Sequence, residues 1–428
     1  MVKRVVRWGI RLLVLVLASV FVLGGPIPRV LARVLPSLSP LVAVVGTIAA
    51  RDWYMGFFWG IPPAAILAMS VWKGRWFCRW LCPAGTLYAL PGRFTLKRQV
   101  LKRKINGVVF WTILSSSVLG VSMLAFVEPL ASVNRLAGLS AQTYTVASLV
   151  PGLMVPLFLL LGLIQPMVWC TQICPLGYLF DVMHAVRRRR RPVLDRVRRE
   201  LLVGACFGVP VGLAARHGLA TSLSDDAHAA VPVLPPGAGE PDRFASLCTR
   251  CYACVHSCPT RVLTVLFKRG RTLSQFFHPE LETIRSHCDS ACNRCSQVCP
   301  AGAIAPLTVA EKQCRQIGIA EVHRWACFSW ARAEECMTCH AVCPYGAISS
   351  EPNVDGLDRP VVDVKRCRGC GACESECPSE EQGKAIRAHG VETQALLEPV
   401  EVGAVPTAVG PSDESADEDE DGGVFLIE

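Results

Sequence analysis

The sequence predicts two fold classes in series. The first is an α-helical membrane domain of four spans plus a fifth signal or anchor helix; an α+β domain of small repeated units follows. Three observations predict this. Apolar residues make up 51% of the chain at a mean hydropathy of +0.35, and they concentrate in the first 220 residues. Basic residues gather in loops between the apolar runs. The rest is polar and holds most of the 22 cysteines at repeated spacings. A length of 428 residues suits two or three structural units. The expected boundaries are 1–185 for the helical domain, 186–240 for an Arg-rich loop, helix and linker, 241–395 for the cysteine domain and 396–428 for a tail. In that tail Asp413, Glu414, Asp417, Glu418, Asp419, Glu420 and Asp421 predict a disordered, solvating end.

Four uncharged stretches have the length of a span or nearly so. They run from Leu12 to about Pro28, from Trp53 to Trp72, from Ile105 to Val127 and from about Leu149 to Trp169. Pro36 and Pro40 break a further apolar stretch between Val34 and Ala50, which reads as a surface or re-entrant element. One predicted side receives Lys3, Arg4, Arg7 and Arg11, nine basic residues between Lys73 and Lys104, and eight between Arg187 and Arg199. The other has Arg29, Arg33, Arg51 and Arg135. That asymmetry predicts a cytoplasmic N-terminus in a bacterial inner (cytoplasmic) membrane protein of several passes. The spans that follow the first argue against a cleaved signal peptide.

Cysteine usage decides the chemistry. A disulfide scaffold suits short secreted chains. Here Cys248-x-x-Cys251-x-x-Cys254-x-x-x-Cys258-Pro259 is the bacterial run for [4Fe–4S] clusters, and Cys367, Cys370, Cys373 and Cys377-Pro378 repeat it. Cys288, Cys292, Cys295 and Cys299-Pro300 differ by one residue in the first gap. Cys336, Cys339 and Cys343-Pro344 lack a nearby first cysteine; Cys327 is the expected ligand, with Cys314 in reserve. Three thiolates at two-residue intervals let a tight turn wrap one face of a cubane. The fourth, before proline, ligates the other cluster in two-cluster proteins. Four [4Fe–4S] clusters in a tandem ferredoxin-like α+β domain follow, with metal substituting for much of the core. Zinc ribbons also use Cys-x-x-Cys pairs, but a four-cysteine run ending in proline is not their pattern. Cys336-Met337-Thr338-Cys339-His340 matches a c-type haem attachment site, but it overlaps Cys343-Pro344.

The helical half carries its own repeat. Cys78-x-x-x-Cys82-Pro83-x-Gly85 recurs 92 residues later as Cys170-x-x-x-Cys174-Pro175-x-Gly177. Cysteines at i and i+4 share a helix face. The two pairs could meet at a shared metal cluster, act as reversible dithiols, or simply pack as reduced cysteines. Cys206 reads as a small apolar residue of the fifth run, Leu201 to Ala215, which contains Pro210. Arg198-Arg199-Glu200-Leu201-Leu202 ahead of it fits the twin-arginine export pattern. Clusters are inserted in the cytoplasm, so a periplasmic cluster domain would have to cross folded. The rival is a cytoplasmic helix that leaves the clusters inside.

These motifs resemble a fusion of two polyferredoxin types. Gly74-Arg75-Trp76-Phe77-Cys78-Arg79-Trp80-Leu81-Cys82-Pro83-Ala84-Gly85 and Cys170-Thr171-Gln172-Ile173-Cys174-Pro175-Leu176-Gly177 are similar to the NapH-type (MauN-like) signatures. The tract from Arg198 through Pro378 is similar to the NapG type (MauM-like). The resemblance implies a quinol dehydrogenase module, with quinol from the membrane lipid and quinone pool as donor and a periplasmic reductase or oxidase as partner. It also implies nested pairing, first motif with fourth and second with third. NapH-type chains carry a further ferredoxin pair after the fourth span, where this chain runs straight into its Arg-rich loop. Gln165, Asp52 and Glu128 are the polar residues in or at the ends of the predicted spans, hence candidates for a quinol site. The rival function is a maturation or redox-regulatory factor of the NosR or CcoG type. Neither reading involves nucleic acid.

Overall fold

The computed structural model describes residues 2–23, 34–50, 61–93, 104–140, 153–188, 191–217, 231–265, 275–352, 356–379, 383–400 and 402. Asp52 and the acidic tail lie outside them. The N-terminal half is a set of helices of mixed length: α1 (Val2–Leu23), α2 (Pro40–Ala50), α3 (Ile61–Lys73), α4 (Trp76–Trp80), α5 (Pro83–Leu87) and α6 (Asn106–Val118). Then come α7 (Pro129–Ser140), α8 (Met154–Ile164), α9 (Pro175–Arg187) and α10 (Arg191–His217).

Among the described residues no helix is long and apolar enough to cross a membrane. The four spans, the fifth signal or anchor helix and the multi-pass inner-membrane placement are therefore corrected, along with the sidedness drawn from the basic loops. The reason lies in where the helices stop. Among the described residues of the second stretch, α3 has 13 residues, about 20 Å against a hydrocarbon core of about 30 Å. Gly74, at φ +62°, turns the chain there. The third stretch breaks after the 13 residues of α6, with Gly120 at φ +82°. In the fourth, the 11 residues of α8 end at Gln165-Pro166. In α1, Lys3, Arg4, Arg7 and Arg11 occupy the first half. The first ten residues of α10 hold Arg191, Asp195, Arg196, Arg198, Arg199 and Glu200, and Pro210 lies within the remainder. Arg198 and Arg199 are exposed positions of this continuous helix.

The helices enclose a core of Leu41, Val45, Phe77, Leu124, Leu130 and Phe180 that also contains Cys82 and Cys174. Polar side chains share this interior: Ser70, Ser116, Ser117 and Glu128 are fully buried. The serines return their hydroxyls to carbonyls of their own helices, Ser70 Oγ to Ile66 O at 2.7 Å and Ser116 Oγ to Ile113 O at 2.9 Å. Helix α10 packs along α6 through Gly204, Gly208 and Gly212, spaced one turn apart on one face. A Cβ at Gly208 would stand 2.5 Å from the Thr112 carbonyl oxygen. Glycine is what permits the helices to approach this closely.

The C-terminal half is built from three two-stranded antiparallel sheets. Strand β1 (Leu263–Val265) pairs with β2 (Pro279–Leu281), with Leu263 opposite Leu281. Strand β3 (Gly318–Val322) pairs with β6 (Ile386–Gly390), and between them β4 (Ile348–Pro352) pairs with β5 (Asp358–Val362). Each cysteine run therefore leads into or out of a short hairpin strand. Strands this short are not stable alone. The extended segment from Val231 joins the two units: Val233 O accepts from Leu281 N at 2.9 Å and Val231 O from Gly390 N at 2.9 Å.

Replacing Gly208 with leucine is expected to push α10 off α6 and destabilise the helical half by about 1–3 kcal/mol. Thermal unfolding followed on the tryptophans of that half would show the loss, with the cysteine domain unaffected.

Candidate metal centres

The cysteine loops have a shared backbone design. In the run Cys367 to Cys373, Gly369 and Gly371 take φ of +70° and +85°. The first run places Arg250 and Tyr252 at the same two steps, with φ of +51° and +60°. Left-handed conformations are costly for residues with a Cβ, by about 1–3 kcal/mol each. Both side chains are anchored: Arg250 Nε donates to Phe276 O at 2.8 Å, and Tyr252 Oη donates to Phe277 O at 3.1 Å. These turns aim backbone N–H groups at sulfur. Arg250 N–H donates to Cys248 Sγ at 3.4 Å, Ala320 N–H to Cys367 Sγ at 3.4 Å, Ile304 N–H to Cys299 Sγ at 3.4 Å and Ala347 N–H to Cys343 Sγ at 3.3 Å. Such bonds to the sulfurs help set the potential of an iron–sulfur centre.

Four groups of four thiols result. Burial first, then Cys248, Cys251, Cys299 and Cys295, pushes the Cys254 thiol well up. Burial, then Cys288, Cys258 and Cys292, does the same to Cys295. The first motif thus gathers Cys299 from the second, and the second gathers Cys258 from the first. Likewise burial and then Cys327, Cys336 and Cys377 push Cys339 up to about 12, while Cys373 meets Cys370, Cys367 and Cys343. Adjacent motifs are paired, first with second and third with fourth; the nested pairing is corrected. It is Cys327 that stands with Cys336 and Cys339. Cys314 ends the helix Val309–Gln313 elsewhere.

These groups fit iron–sulfur clusters. Two cavities are walled by complete sulfur sets, one by Cys258, Cys288, Cys292 and Cys295 and one by Cys327, Cys336, Cys339 and Cys377. In each group one thiol is raised by burial and by the sulfurs around it; thiolates gathered this way need positive charge among them, which iron supplies. Among the described residues no three or more His, Cys, Asp or Glu side chains close round a metal ion. A cubane asks for something wider, since its four irons hold the thiolates at the corners of a box. Cys336 and Cys339 face Cys327 and Cys377, which leaves them unsuited to a haem.

The two units touch through the backbone of two cysteines. Cys288 N–H donates to the Cys370 carbonyl at 2.9 Å, bringing the second and fourth motifs together. Lys312 is buried beside that junction, with Nζ donating to Asp289 O at 2.6 Å. Burial opposes its charge, but Cys288, Tyr345, Cys370 and Cys295 outweigh that and raise it. Nothing in the local sequence marks this lysine, because its partners are distant in the chain.

The helical half brings Cys78, Cys82, Cys170 and Cys174 together. Burial, then Cys82, Cys174 and Cys170, raises Cys78 well above the usual thiol value, and burial foremost pushes Cys82 up to about 12. Cys82 Sγ accepts from Gly85 N–H at 3.4 Å. A Cβ at Gly85 would lie 2.9 Å from the Cys78 carbonyl oxygen, and one at Gly177 would meet the Arg75 guanidinium at 3.2 Å. Arg75 grips the second pair: Nε and Nη2 donate to Asp181 Oδ1 and Oδ2 at 2.7 and 2.6 Å, and Nη1 to Cys170 O at 2.9 Å. Glu128 is no boundary residue. It is fully buried at the start of α7, its Oε2 accepts from Ala131 N–H at 2.5 Å, and burial raises it. Gln165 is buried too, and Cys206 is exposed on α10.

Crossed ligation gives a direct expectation. Cys299→Ser should abolish the same low-temperature EPR signal as Cys251→Ser, and Cys258→Ser the same signal as Cys292→Ser. Matching losses within a motif instead would contradict the arrangement.

Known proteins agree with this chemistry. A family described as a 4Fe-4S dicluster domain matches residues 332–380. Two families described as 4Fe-4S binding domains match residues 248–262 and, in the helical half, residues 55–106 and 148–193. The ferredoxin-type protein NapF of Escherichia coli (strain K12) is 30% identical over 146 residues, 34% of this chain and 80% of NapF. The methylamine utilization ferredoxin-type protein MauM of Methylophilus methylotrophus is 32% identical over 198 residues, 44% of this chain and 81% of MauM. The ferredoxin-type protein NapG of Escherichia coli (strain K12) is 28% identical over 207 residues, 45% of this chain and 82% of NapG. No solved structure matches the chain. With its cysteine runs gathered in fours and these relatives covered over most of their length, the chain belongs to the ferredoxin-type [4Fe–4S] electron-transfer proteins of the NapF, NapG and MauM kind.

Proposed function

We propose that this chain is an electron relay with five sulfur sites in a line, taking electrons that originate from quinol and delivering them to a reductase or oxidase partner. When bound, [4Fe–4S] clusters supply reversible one-electron storage, which is the chemistry a relay needs. The observation that carries the reading is adjacency. Crossed cysteines join the sites within each unit, and the Cys288 N–H to Cys370 carbonyl bond joins the units. The site of Cys327, Cys336, Cys339 and Cys377 then stands at one end of the line, and the four thiols of Cys78, Cys82, Cys170 and Cys174 at the other.

The residues of this chain hold the sulfurs, exclude water and place buried cations near them. The four thiols of the helical half form the fifth site, in keeping with the 4Fe-4S description of the family that matches there. Protein purified without oxygen is expected to be brown, with iron and sulfide in equal amounts. Addition of a reduced quinol should develop cluster EPR signals in the unsubstituted chain, and the double variant Cys78→Ser, Cys170→Ser should lose at least tenfold in the rate of that reduction. Signals that dithionite produces and quinol does not would remove quinol from the proposal; equal rates in the two proteins would remove the fifth site as the entry point.

A further inference from the structure

Helix α7 lies between the cores that hold two of the sulfur sites. Leu130 and Ala131 are consecutive and fully buried. Leu130 packs in the core that holds Cys82 and Cys174, and Ala131 in the core that holds Cys248, Cys251 and Cys254. Ala301, two residues after Cys299, also packs against the first of these cores. Of the ferredoxin sites, the one completed by Cys299 is thus built against the helical half.

One turn beyond Ala131, Arg135 enters the cysteine loop of that site. It is 2% exposed. Its Nε donates to the Arg250 carbonyl at 3.0 Å and its Nη2 to the Thr249 carbonyl at 3.3 Å, both between Cys248 and Cys251. Tyr252, Glu128, Cys251 and Cys248 favour its charge, and the buried Arg250 guanidinium of the same loop opposes it. A guanidinium stays protonated in proteins, and its field is little screened where water is excluded. Net charge near an iron–sulfur centre is one of the quantities that set its potential.

We infer that Arg135 sets the reduction potential of the site formed by Cys248, Cys251, Cys254 and Cys299, because it brings a buried positive charge from the helical half to bear on that site. The inference rests on these thiolates being cluster ligands. Reduction adds one electron and one unit of negative charge at the site, and the guanidinium offsets that charge while keeping its own proton. Two backbone carbonyls of the cysteine loop hold the guanidinium, so docking of the helical half and the potential of the site become one property. Arg135 is a positioning and tuning residue, not a ligand.

The test is a dithionite titration of the full-length anaerobic protein followed by low-temperature EPR, with the signal of this site identified as the one lost in Cys251→Ser. In Arg135→Gln the ratio of reduced to oxidised site at a fixed poise is expected to fall about tenfold, a shift of about 59 mV for a one-electron couple, with the other signals unmoved. Arg135→Lys keeps the charge and should hold that ratio within about threefold. An unshifted titration in Arg135→Gln overturns the inference. So does loss of this one signal from both variants in otherwise folded protein, which would make Arg135 a strut alone. Absence of every cluster signal from the unsubstituted protein would instead remove the iron–sulfur reading beneath it.

Discussion

Repulsion among buried thiols is the constraint on which this structure turns. In each group burial and neighbouring sulfurs oppose ionisation of at least one thiol, and Cys248 and Cys370 are both pushed up to about 12 by burial foremost. Such a gathering is unfavourable for the bare polypeptide and favourable once iron neutralises it. The sheets that flank these groups have two strands apiece, and the helices inside the loops, such as Ala253–Ser257 and Ala372–Ser375, have four or five residues. Elements this small cannot specify a fold by packing alone. The metal–sulfur bonds and the fold therefore form together.

What could be read from the sequence was whatever is encoded locally. A Cys-x-x-Cys-x-x-Cys run predicts a tight turn, and the loops at 248–254 and 367–373 have it, with left-handed steps at equivalent positions. The two Cys-x-x-x-Cys-Pro-x-Gly repeats suggested that four sulfurs could meet, and they do. Pairing of the prolyl cysteines was not legible, because which cubane Cys258 or Cys299 reaches is decided by how hairpins pack, a property of the folded unit. The spans failed for a related reason. An apolar run measures how much surface must be buried, not where a helix ends. Turns at Gly120 and Gln165-Pro166 cut two of those runs, and the helices pack on one another around Ser70, Ser116 and Glu128.

Buried cations form a second layer that spacing rules do not reach. Lys312 lies where the two ferredoxin units meet, Arg135 where the helical half meets the first loop, and Arg75 beside the second Cys-Pro pair. Lys312 and Arg135 donate to backbone carbonyls, as Arg368 does to those of Gln313, Lys365, Arg366 and Glu398, while the half-buried Arg75 divides its bonds between the Asp181 carboxylate and the Cys170 carbonyl. A cation so held stays fixed in distance from its sulfur neighbours. Its effect on them is correspondingly constant, as an electron-carrying centre requires.

The exchange of Cys258 and Cys299 between neighbouring loops laces the first ferredoxin unit like a two-eyelet knot, as that of Cys343 and Cys377 laces the second. Neither half of a unit can mature by itself, since each withholds a sulfur the other lacks. A ribosome that had released only residues up to 290 would present an incomplete cradle for either cubane. The site of Cys258, Cys288, Cys292 and Cys295 lacks ligands until Cys295 has emerged, and that of Cys248, Cys251 and Cys254 until Cys299 has, which makes assembly a late event in synthesis of the unit. Oxidative damage would run the same way, with one lost thiolate loosening the pair.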